Sequence, residues 1–273
     1  FLGMGTSVDE STVYNLMKMS ESDRYAFIKR LVDPVNGSGN TLFRLTIGTA
    51  DFTAQPFYTY YDGTGKELNG KPDWYNETGK GFTIEKDEEY HIIEIIQLIQ
   101  KAAKECGVEN ELKFFASPWT PPGWMKTETG NSKSYTNNEL LLKGGRLSDD
   151  HITDAAKYYV RFIEEYQKLG IPIYAMTLQN EPMLEINYPS CLVSGQQEAR
   201  LGAAIKAELT KSTVLTDEQK DVKIWAFDHN PGDLNSYMNA VYNTNIEGVD
   251  GAAVHDYGGE LSNMTTLHNS YND

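Results

Sequence analysis

The chain has 273 residues, 40% of them hydrophobic, enough for one large α/β domain or two smaller ones. Its formal net charge of −15 argues against a sequence-independent nucleic-acid binder, which needs a basic face to displace phosphate counterions. No long, continuous apolar run is present, so no segment is expected to span a bilayer.

Phe1 to Gly5 is apolar and Gly-punctuated and is expected to form a first short strand leading toward Ser11. Ser20-Glu-Ser-Asp23 has capping-box character, after which Tyr25, Phe27, Ile28, Leu31 and Val32 recur at helical spacing up to Pro34. Asn36 to Asn40 is a turn cluster, and Leu42 to Ile47 reads as a strand leading to Asp51. Tyr58 to Gly81 is polar, rich in Gly, Tyr and Asn, and too long for an ordinary connection, so it is expected as a loop on an active-site face. Glu88 to Cys106 is the clearest helix, with Ile92, Ile93, Ile95, Ile96 and Ile99 on one broad face and Gly107 as its stop.

Leu112 to Ala116 is the next strand, broken by the Pro and Trp cluster Ser117-Pro-Trp-Thr-Pro-Pro-Gly-Trp124, which sets two indoles at a strand mouth. Thr127 to Leu147 is a polar excursion. Ser148 then caps a helix that ends at Gly170. Ile173 to Leu178 reads as a buried strand that Asn180-Glu181-Pro182 abruptly ends. Ser194-Gly-Gln-Gln197 is a capping box that opens a helix. Val222 to Phe227 is a strand ending in Asp228-His-Asn-Pro231, and Gly251 to Val254 is a last one ending in His255-Asp-Tyr257.

Strand and helix alternate throughout, and polar and aromatic residues recur at strand carboxyl ends. No Gly-rich phosphate loop follows an early strand, so the pattern favours an α/β (β/α)8 TIM barrel over a doubly wound sheet. About six βα units are countable where such a barrel has eight, so the expected fold is an incomplete barrel over residues 1–273. Cys106 and Cys191 have no metal-binding spacing and are expected as free thiols, Cys106 as a small buried side chain; no cofactor or metal is expected. The start at Phe1, without a signal-peptide pattern, fits a processed or excised product.

Glu181 stands where barrel loops build active sites, although the residue types alone leave a solvated turn Glu open. Arg44 lies inside an apolar strand and needs a carboxylate partner, because an unpaired buried guanidinium is costly. Phe43 to Phe52, Ser117 to Lys126, Leu178 to Pro182 and Val254 to Tyr257 together resemble glycoside hydrolase family 30, the glucosylceramidase and β-1,6-glucanase group of retaining glycosidases. That resemblance implies hydrolysis of a β-glucosidic bond in a β-1,6-glucan or glucosyl lipid, with Glu181 as acid/base and Asn180 on the sugar's 2-hydroxyl. A β-xylosidase-type specificity, or a silent carbohydrate-binding barrel, stands as the alternative.

By the same resemblance, Asp51 and Trp119 bind distal hydroxyls, Tyr257 lies beside the nucleophile, and Arg44 pairs with that nucleophile, a Glu expected beyond Asp273. Glu260 does not match it. Asp256 departs from the aromatic residue of the mammalian glucosylceramidases, which puts their lipid-side specificity in doubt. Trp119 is expected to form a hydrophobic wall that helps keep Glu181 protonated, while Asp228 and His229 support the site. His255 reads as a buried, hydrogen-bonded strand residue. The family's β-sandwich domain is expected to be absent from these residues, and a secreted or extracytoplasmic protein is expected. The implied partner is a carbohydrate or glycolipid substrate.

Overall fold

The structure is a computed structural model and describes residues 1–271. Six parallel strands form one sheet in chain order: β1 (Gly5–Val8), β2 (Leu42–Ile47), β3 (Lys113–Pro118), β4 (Ile173–Thr177), β5 (Lys223–His229) and β6 (Gly251–Val254). Each strand pairs with its sequence neighbours. Helices α1 (Glu10–Met17), α2 (Glu21–Val32), α3 (Ile92–Cys106), α4 (Ile152–Lys168), α5 (Gly195–Lys211), α6 (Leu234–Tyr242) and α7 (Ser262–Tyr271) connect or follow them. This is the ordering of a (β/α)8 barrel, with six of its eight strands.

Local chemistry accounts for most boundaries. Ser20 Oγ accepts the Asp23 N–H at the start of α2, and Ser194 and Gln197 form a reciprocal capping box at the start of α5. Gly107 ends α3 in the left-handed conformation, at φ +72°. The broad Ile face of α3 is buried, and each such side chain contributes roughly 1.5–3 kcal/mol relative to exposure.

Several expectations are corrected. The first strand is Gly5–Val8, not Phe1–Gly5: Phe1, Leu2 and Met4 are exposed, whereas Val8 enters the core and the ladder to β2 starts at Gly5. The helix expected from Glu88 is broken, because His91 takes φ +62° between a short helical turn at Glu85–Glu89 and α3. Only part of the α2 apolar stripe is covered, with Ile28 and Val32 buried but Phe27 45% exposed. Cys106 is only partly buried, and Cys191 is buried.

The Tyr58 to Gly81 segment is not simply a surface loop. Tyr58, Tyr60 and Tyr61 are buried, and the hydroxyls of Tyr58 and Tyr60 converge with that of Tyr166 on Asp87. Trp124 does not line a mouth; it packs against Tyr61, Trp74 and His151 and donates to the Tyr61 carbonyl at 3.2 Å. Among the described residues, no helix is long and apolar enough to cross a membrane.

Candidate active site

The carboxyl ends of β2 to β6 converge on one polar cluster. Arg44, rising from β2, donates through Nε to Ser117 Oγ (3.1 Å) and through Nη2 to Asn180 Oδ1 (2.9 Å) and Asp228 Oδ2 (2.8 Å). Thr177 on β4 donates to the same Asp228 oxygen at 2.8 Å. Just past β6, His255 bridges two carboxylates, with Nε2 3.0 Å from Asp228 Oδ1 and Nδ1 3.2 Å from Glu181 Oε1. His229 Nδ1 is 3.7 Å from that Glu181 oxygen.

The backbone aims Glu181. Asn180 N–H donates to the Pro118 carbonyl (2.8 Å) and Glu181 N–H to the Asp228 carbonyl (3.0 Å), tying the tripeptide to the ends of β3 and β5. Glu181 itself sits at φ +49°, a conformation that non-glycine residues hold only when their surroundings impose it.

The electrostatics follow from these neighbours. The imidazoles of His229 and His255 hold the Glu181 carboxyl down to about 2, although partial burial opposes them. Burial pushes Asp228 upward, but the Arg44 charge and the His255 hydrogen bond overcome it and bring that carboxyl to about 2. Burial lowers His255, yet Asp228 and Glu181 outweigh it and raise the imidazole to about 9, so both ring nitrogens donate at neutral pH. The cluster is thus cation, anion, cation, anion along Arg44, Asp228, His255 and Glu181.

Trp119 is 6% exposed, lies under the Arg44 guanidinium at 4.7 Å and hydrogen-bonds to Asp51. It is therefore tied to Arg44 and Asp51, and the Glu181 carboxyl is governed by two imidazoles, not protonated against a Trp119 wall as expected. Asp51 is partly buried, and that desolvation raises its carboxyl. Tyr257 is 83% exposed; its ring meets His255 edge-on at 5.7 Å, and its N–H donates to Asn230 Oδ1. Glu260 is exposed.

The structure brings Arg44, Asn180 and Glu181 into one cluster, sets Trp119 and Asp51 beside it, and leaves Tyr257 at its outer edge. Arg44 has its carboxylate partner within the chain, in Asp228. Sequence reasoning did not single out Tyr188, which is partly buried and close enough to Glu181 and Asp51 that, after burial itself, their charges raise its phenol. Its signal was a lone aromatic seven residues beyond the strand-ending Glu.

A cavity of about 730 Å³ opens nearby, beside Pro182, Met183 and the start of α5, but the residues of the polar cluster do not line it. Among the described residues, no group of His, Cys, Asp and Glu is arranged to hold a metal ion.

A family model described as the glycosyl hydrolase family 30 TIM-barrel domain matches residues 1–273. An endo-1,6-beta-D-glucanase of Aspergillus fumigatus is 31% identical over 264 residues, covering 94% of this chain and 49% of its own. A putative glucosylceramidase of Caenorhabditis elegans is 28% identical over 276 residues, covering 99% and 49%. Among solved structures, an endo-β1,6-glucanase superposes with a TM-score of 0.79 at 29% identity, over 99% of this chain and 55% of its own. The chain spans about half the length of the curated relatives it matches.

Proposed function

The chain belongs to glycosyl hydrolase family 30, and from that premise we propose that it carries the acid/base half of a retaining β-glycosidase site, with a β-1,6-linked glucan as its first substrate class. The observation that carries the reading is Glu181 itself, at the carboxyl end of β4, with His255 Nδ1 and His229 Nδ1 at 3.2 and 3.7 Å from one of its carboxylate oxygens. Such a carboxyl protonates the leaving oxygen of a glycoside and later takes the proton back from water.

The neighbours supply the binding side. Asn180 commits its Oδ1 to Arg44, which leaves the amide nitrogen to donate to a sugar hydroxyl. Asp51 and Trp119 take distal hydroxyls, and Tyr188 and Tyr257 flank the bound sugar. A glucan polymer does not cross a membrane, so the same reading places the protein outside the cytoplasm.

Glu181 alone is an anion and has to gain a proton to act as an acid. A retaining site has a second carboxylate ~5 Å away. At an effective dielectric of ~20, that charge raises the energy of the Glu181 anion by about 3 kcal/mol, or about two pKa units. Asp228 does not serve as that second group, because it is buried and held by Arg44, Thr177 and His255. Residues 1–273 by themselves are accordingly proposed not to turn over glycosides, the nucleophile being a further strand-ending Glu.

The test compares residues 1–273 with a longer version carrying that Glu on the same aryl β-glucoside. Only the longer version should turn over. Within it, Glu181→Gln should lose ~10²- to 10⁴-fold on substrates with poor leaving groups and keep fast glycosylation on activated ones. Equal loss on both removes Glu181 from the acid role, and turnover by the short version refutes the placement of the nucleophile. Sugar binding without turnover in both versions favours the silent binding barrel.

A further inference from the structure

Glu198, in the first turn of α5, is 0% exposed and takes no part in the chemistry derived above. Its Oε2 accepts the backbone N–H of Phe227 at 2.9 Å, while Oε1 is buried without a hydrogen-bond partner. The site it braces is unusual. Phe227 and Asp228 have φ of +74° and +45°, and the pairing of β5 with β6 slips between Phe227 and His229.

Two consecutive non-glycine residues at positive φ are strained and persist only where neighbours over-determine them. On the barrel side these neighbours are the Glu181 N–H on the Asp228 carbonyl and the three donors on the Asp228 carboxylate. On the helix side, the bond from Phe227 N–H to Glu198 holds the bulge.

The groups facing Glu198 are Asp228 from β5, Tyr237 from α6 and Tyr159 from α4. None is a cation. Tyr237 spends its hydroxyl on the Val193 carbonyl at 2.7 Å. Burial first, and then the Asp228 charge, push the Glu198 carboxyl up to about 8. It is therefore an uncharged acid at neutral pH, which avoids an unpaired buried anion beside Asp228.

We propose that Glu198 is a positioning residue: it clamps the Phe227–Asp228 bulge and so aims the Asp228 carboxylate at Arg44 and His255, and through His255 governs Glu181. The functional consequence rests on the reading of Glu181 as proton donor. The clamp itself is read from the His255 ring and the Phe227 amide, not from turnover, so the two stand or fall separately.

The experiment is nitrogen NMR of residues 1–273 as wild type, Glu198→Gln and Glu198→Leu, titrated from pH 5 to 10. Wild type should show a His255 midpoint near 9 and a step in the Phe227 amide shift near pH 8. Glu198→Gln, a neutral acceptor of the same shape, should keep the His255 midpoint and lose the Phe227 step. Glu198→Leu should lower the His255 midpoint by a unit or more, whereas a role confined to core packing would lower only the melting temperature.

The proposal is overturned by a folded Glu198→Leu protein with an unchanged His255 midpoint, or by a Glu198→Gln protein whose midpoint moves as far as the Leu variant's. It is also overturned by a wild-type Phe227 amide without the step, or by a step that survives in Glu198→Gln. If the Leu variant does not fold, the wild-type and Gln titrations decide.

Discussion

Asp87 and Asp228 are both buried, each accepts three side-chain hydrogen bonds, and they are held in opposite states. Asp87 takes hydroxyls from Tyr58 (2.6 Å), Tyr60 (2.5 Å) and Tyr166 (2.6 Å), and burial still raises its carboxyl to about 6. Asp228 takes Arg44, Thr177 and His255, and sits at about 2 despite the same desolvation. The number of donors is equal; their charge is not. Neutral phenols offset only part of the cost of burying a carboxylate, whereas a guanidinium and an imidazolium reverse it. The first arrangement knits the loop after β2 to the helices, and the second builds a site that holds charge ready at a strand mouth.

Asp228→Asn should break the second arrangement outright. It leaves Arg44 and His255 without their shared anion, at a cost of ~3–5 kcal/mol in denaturant unfolding, and the His255 midpoint should fall from about 9. An unchanged His255 midpoint would show that Glu181 alone sustains it.

The two carboxylates should also write opposite slopes into stability against pH. The folded value of Asp87, about 6, lies above its ordinary 3.8, so its contribution is full below about pH 4 and is lost as pH rises through 6. The folded value of Asp228, about 2, lies below 3.8, so its contribution is present above about pH 4 and is lost as pH falls through 2. Each slope amounts to about 2–3 kcal/mol. Urea midpoints measured from pH 2 to 7 should therefore fall on both sides of about pH 4, and Asp87→Asn should remove the Asp87 share of the loss between pH 4 and 6, leaving the loss toward pH 8 that the raised Glu198 carboxyl contributes. A loss between pH 4 and 6 as large in this variant as in wild type would assign it to a group other than Asp87.

The smallest effect sharpens the contrast. Tyr58→Phe removes one neutral donor from Asp87; it should cost ~1 kcal/mol and move the Asp87 midpoint further up, leaving the His255 titration untouched.

Much of this architecture was legible in order and type. The strand into Glu181 reads from its apolar run and abrupt polar end, and Ser20 and Ser194 announce their helices through bonds that reach only three residues along the chain. Arg44 in an apolar strand demanded an anion, but the partner lies 184 residues away in sequence, and only the order of strands around the sheet selects Asp228. The tyrosines after β2 read as polar loop because Asp87, the group that draws their hydroxyls inward, lies beyond that segment on a different element.

Element boundaries, caps and the placing of polar residues at strand ends were determined by the sequence itself, because each rests on hydrogen bonds and side-chain periodicity within a few residues. The protonation states of Glu181, Asp228, His255 and Glu198, and the bulge at Phe227 and Asp228, were decided only by the tertiary structure. A pKa reflects the water excluded and the charges assembled around a group, and here five strand ends and two helices from distant parts of the chain supply both.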